Sequence, residues 1–140
     1  MTARWMLVWV LWLGGAAMLC ALIFVFCPFG WMQAIHTRIG IGELAYTPLL
    51  SYLIRTLSAM YASMGAILVF ISRDVERYRD LIRFLAWLSM LGGAGVTALD
   101  AILHLPWLWT MTEGPFTVLL GLVLIILATK MPVRGTEMGS

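Results

Sequence analysis

Charge is scarce in this sequence. Asp, Glu, Lys and Arg make up 11% of its 140 residues and hydrophobic residues 62%, with a mean hydropathy of +0.95, whereas about a quarter of a soluble domain is charged. A soluble domain of this size is excluded. The net charge of +2 is too small to hold nucleic acid. Cysteine is nearly absent as well: Cys20 and Cys27 share one apolar run, about 10 Å apart along a helix, which is too far for a disulfide. There is no His-Glu-x-x-His and no repeated cysteine spacing, and Gly40-Ile41-Gly42 follows no strand, so it reads as a turn and not as a nucleotide loop. No motif names a reaction, a substrate or a cofactor. The first apolar run also lacks an acidic residue, and apart from Arg83 and Lys130 at their very ends no span carries a charge in its inner half. A small drug–proton exchanger and a continuous proton relay are both disfavoured by that.

What the chain does have is four long apolar runs, at 5–27, 49–72, 81–105 and 112–131, each near the twenty or so residues that cross a hydrocarbon core. They predict an all-α integral membrane protein, a four-transmembrane-helix bundle forming one domain. An outer loop at 28–48 and a charged turn at 73–80 separate the spans, and the tail at 132–140 is expected to be disordered. Seven of the nine basic residues (Arg4, Arg73, Arg77, Arg79, Arg83, Lys130 and Arg134) fall on the side of both termini and the charged turn, leaving Arg38 and Arg55 opposite. Both termini are therefore expected in the cytoplasm. Met1–Arg4 opens like a signal peptide, but the long apolar run after it reads as an uncleaved anchor. In the outer loop, Trp31, Ile35 and Ile39 repeat as on a short interfacial helix. Thr112 suits the N-cap of the last span, with Glu113 and Pro115 in its first turn.

The stretch from Ser51 to Leu105 is the centre of the pattern. Ser51, Arg55, Ser58, Ala62 and Gly65 form one small, polar stripe, and Ala86, Ser89, Gly93, Thr97, Asp100 and His104 form another, a pattern that predicts two faces in contact. Folded about a turn between Glu76 and Arg77, the hairpin brings Arg55 and Asp100 to depths about 3 Å apart. An isolated charge at such a depth costs roughly 3 kcal/mol. A structural ion pair between them is expected.

On the outer side the polar residues His36, Arg38, Glu43, Arg55, Asp100, His104 and Glu113 gather into the one chemically rich region. They are candidate ligand-binding residues, and Asp100, His104 and Glu113 are the candidates for catalysis. Asp100 and His104 are four apart, the spacing by which a helix can offer two metal ligands. A carboxylate and an imidazole beside an arginine suit proton transfer or an anionic headgroup equally well. No cofactor is expected; a metal at Asp100 and His104, or a haem between His36 and His104, is the alternative.

Gly42-Glu43-Leu44, Tyr52 to Ala62, Arg73-Asp74-Val75-Glu76-Arg77-Tyr78, Asp100 and Trp109 to Phe116 together resemble the small four-helix inner-membrane proteins of bacteria known as the BphX-like group, over about residues 42–120. The resemblance implies a bacterial inner membrane and a four-helix fold, and it brings no activity with it. The reading that follows is a non-enzymatic scaffold, accessory subunit or ligand- or lipid-binding module. Its partners are membrane lipid and either further copies of the chain or a larger membrane complex. A small membrane enzyme acting on a lipophilic substrate is the alternative, and a transporter the third option.

Overall fold

The computed structural model describes residues 2–40 and 42–131; the tail expected to be disordered lies outside them. Among the described residues six α-helices follow one another: α1 (Ala3–Leu19), α2 (Leu22–Phe26), α3 (Phe29–Arg38), α4 (Pro48–Ile71), α5 (Arg79–Ile102) and α6 (Trp107–Thr129), with one 3-10 turn at Ser72–Asp74. There is no strand among the described residues. Four stretches, Ala3–Phe26, Pro48–Asp74, Arg79–Ile102 and Trp107–Thr129, are long and apolar enough to cross a membrane, and no more than 28% of the 18-residue apolar centre of any of them is buried inside the protein. Exposed Trp, Leu, Ile and Phe side chains on every span would form apolar patches no soluble monomer carries.

The helices gather into two compact units, Leu11–Phe70 and Met1–Val10 with Ile71–Ser140. In the first, α1 gives way to α2 through a tightened turn in which Cys20 N–H is shared between the Ala16 and Ala17 carbonyls, both at 3.2 Å. Pro28 then sets the end. It holds Cys27 in an extended conformation (ψ 151°), ending the helical run, and itself caps α3. On α3, Trp31, Ile35 and Ile39 are exposed, as the interfacial reading expects, while Met32 is buried. Thr47 starts α4 by accepting the Leu50 N–H on its hydroxyl (3.1 Å), with Pro48 in the first helical position.

Glycine sets how closely the helices of this unit meet. A Cβ placed on Gly15 would stand 2.7 Å from the Gly65 carbonyl oxygen, and one on Gly65 would stand 2.6 Å from that of Gly15. The backbones of α1 and α4 therefore touch where any side chain would part them, the close approach that replaces the hydrophobic drive between helices in lipid.

The second unit repeats the device. Gly93 of α5 meets Gly114 of α6, with the Cβ of either standing 2.7 Å from the other's carbonyl oxygen, and Gly121 lies against the Ala86 carbonyl. Seven residues down α5 match seven up α6, so the two run antiparallel. The small stripe ending at Gly65 thus closes on α1 and the one through Ala86 and Gly93 on α6, where the sequence had suggested that they face each other. Helix α6 begins at Trp107, not at 112: Pro106 is its N-cap, and Thr112 bonds back to the Leu108 carbonyl (2.8 Å) inside the helix. Pro115 is consequently interior, and the helix runs through it. In lipid, one forfeited backbone bond costs less than an unravelled turn.

Candidate functional site

The seven polar candidates divide between the units. His36 and Arg38 stand in the last turn of α3, half-buried and exposed respectively; Glu43 is exposed in the link to α4, and Arg55 is half-buried on α4. Asp100, His104 and Glu113 belong to the α5–α6 unit. Glu113 is half-buried in the second turn of α6 and not in its first.

Arg55 is held by carbonyl groups. Its guanidinium donates to Val25 O and to Cys27 O (3.0 Å), and its Nε to Ser51 Oγ (3.4 Å). These two carbonyls lie at the end of α2, where the helical ladder stops and leaves acceptors without partners. Pro28 prevents the ladder from continuing. Arg55 is thereby a C-terminal cap delivered from another helix, matched to the negative end of the α2 dipole.

Arg79 does the same in the other unit. As the first residue of α5 it opposes its own helix dipole, yet its Nε donates to Ala128 O (2.9 Å) and its terminal nitrogen to Thr129 O (3.4 Å), at the end of α6, and to Met131 O (2.7 Å) just beyond it. Sequence reading passed over this residue. The available signal was a cation at a helix start, a mismatch that a neighbouring helix end can repair.

Asp100 is 5% exposed, and its Oδ2 is the one buried side-chain polar atom among the described residues without a hydrogen-bond partner. It sits three positions from the end of α5, again against its own dipole. Extending the Gly93–Gly114 register by a further seven residues places Asp100 level with Trp107, the first residue of α6, whose N-terminus has no side-chain cap. A carboxyl there faces the favourable end of the neighbouring dipole. Two groups on α5, Arg79 and Asp100, thus bracket α6 from end to end.

His104 does not share that face. Helix α5 closes with a Schellman turn in which Leu105 N–H bonds to Asp100 O (3.1 Å) and His104 N–H to Ala101 O (3.3 Å), with His104 left-handed at φ 53°. The four-residue spacing would place both side chains on one face only if the helix continued, and it stops at Ile102. The imidazole is exposed and the carboxyl buried. Among the described residues no three His, Cys, Asp or Glu side chains group to hold a metal ion. An apolar groove of about 600 Å³ between α5 and α6, lined by Ala94, Ala98, Ala101, Pro115 and Val118, does not include Asp100.

What this arrangement can do follows from its one unpartnered group. Oδ2 of Asp100 can accept a hydrogen bond from an incoming donor or pair with a cation. No family model, curated protein or solved structure matches this chain.

Proposed function

We propose that the chain is a four-span protein of a bacterial inner membrane, with both termini cytoplasmic, that acts without catalysis as a scaffold, accessory subunit or ligand-binding module, either as a homo-oligomer or within a larger membrane complex. The observation that supports this reading is the contrast between Arg55 and Asp100. The arginine is occupied in closing a helix end, while Asp100 keeps a buried oxygen with no partner. Unpaired ionisable groups in spans are expensive to keep and mark sites by default. The basic bias of the termini and of the 73–83 stretch supports the orientation.

The enzyme reading has one observation in its favour: His104 holds a left-handed conformation that glycine would adopt at no cost, and it presents an exposed imidazole there. Complementation separates the two. In cells deleted for the gene, Asp100→Asn is expected to abolish function while the protein accumulates and unfolds near the wild-type temperature, since the amide keeps the size and shape of the carboxyl group. His104→Ala and Glu113→Ala are expected to complement fully. If either is folded but inactive, the enzyme reading replaces the scaffold.

A further inference from the structure

Arg79 draws α5's first turn onto the carbonyls at the end of α6, and Arg4 at the start of α1 reaches Glu76 (3.2 Å), so one end of the second unit collects nine of the fourteen described charged residues. Its bases are Arg4, Arg73, Arg77, Arg79, Arg83 and Lys130, and its acids Asp74, Glu76 and Asp80. The acids are all engaged. Glu76 pairs with Arg4 and Asp80 with Arg83 (3.4 Å), and Asp74 Oδ1 accepts the Arg77 backbone N–H (3.2 Å), closing the turn. Among the described residues no carboxylate pairs with the side chains of Arg73, Arg77 or Lys130, all three exposed. Arg77 leans over the Tyr78 ring, 5.6 Å from its centre, which orders the guanidinium without cancelling its charge. Arg79 is bonded only to neutral carbonyls.

We infer that this end of the unit seats anionic phospholipid headgroups, their phosphates held by Arg73, Arg77 and Lys130. Six bases against three acids leave a surplus of three positive charges at the ends of apolar spans, where the complementary charge within reach of a membrane protein is lipid phosphate. Val75, 1% exposed between Arg73 and Arg77, anchors the backbone of the turn that carries the two arginines. Rigid placement lowers the ordering cost of binding. The inference rests on the spans crossing a membrane and is independent of Asp100.

The test uses the full chain in vesicles of equimolar phosphatidylglycerol and phosphatidylcholine, with spin-labelled lipids of each kind reporting which is immobilised at the protein. Phosphatidylglycerol is expected to be preferred, the preference to fall as salt is raised, and each neutralised charge among Arg73→Gln, Arg77→Gln and Lys130→Gln to reduce it about five-fold. These side chains are exposed, so unchanged circular dichroism is expected of the variants. Equal binding of the two lipids, or a preference that survives the triple substitution, overturns the inference. Displacement of phosphatidylglycerol by millimolar inorganic phosphate overturns it as well, since the site would then belong to a soluble anion.

Discussion

A left-handed histidine is a costly way to close a helix. The αL region costs a residue with a Cβ about 1 kcal/mol that glycine does not pay, and His104 occupies it at the C′ position of a complete Schellman turn. His104→Gly should therefore raise the thermal stability of the purified protein by about 1 kcal/mol. A loss of stability, read as a lower midpoint in a thermal scan, would mean that the imidazole itself holds the 103–106 link in place. Single residues were the least legible scale of the sequence. Arg55 could be picked out as a charge within a span, and its depth computed, but its acceptors are the Val25 and Cys27 carbonyls. Backbone groups carry no sequence signal unless the helix end that frees them is located first. Here that end depended on Pro28.

At the scale of elements the sequence was far more readable. Three spans begin and end within a few residues of the apolar runs, because twenty or so mostly apolar residues admit few other structures in lipid. The fourth did not, since Pro106 and Pro115 are both credible openings and Thr112 has the chemistry of a cap. Which helix packs on which was not readable either: Gly15, Gly65, Gly93 and Gly114 all announce close approach, and nothing in their spacing names the partner. The structure provides a matched pair for testing that seam. Gly93→Ala would set a Cβ 2.7 Å from a backbone oxygen and should cost about 1–3 kcal/mol. Gly92→Ala, one residue away with nothing within 4 Å, should be neutral or gain up to about 1 kcal/mol of helix propensity. Equal midpoints for the two variants would show that the seam is not what joins α5 to α6.

For the molecule as a whole, apolar side chains face outward on all four candidate spans, and charged groups lie toward the span ends. Composition alone foretold that inversion. Orientation rests on the basic residues and is testable without any knowledge of function. A reporter that fluoresces or acts only in the cytoplasm, fused after Ser140, should be active, and one that requires export should be silent. The reverse pattern would invert the protein and move the basic end to the opposite leaflet.

The glycine seams also bear on how such a chain can change over generations. In an ordinary core an enlarged side chain is accommodated when a neighbour shrinks, and sequences wander along these compensated pairs. Where the obstruction is a carbonyl oxygen, as at Gly15, Gly65, Gly93, Gly114 and Gly121, there is no neighbour left to trim. Drift is then free over the outward-facing leucines, tryptophans and phenylalanines, which any apolar residue can replace. Descendants of this chain should hold five glycines and two arginines at fixed intervals while nearly everything between them is rewritten.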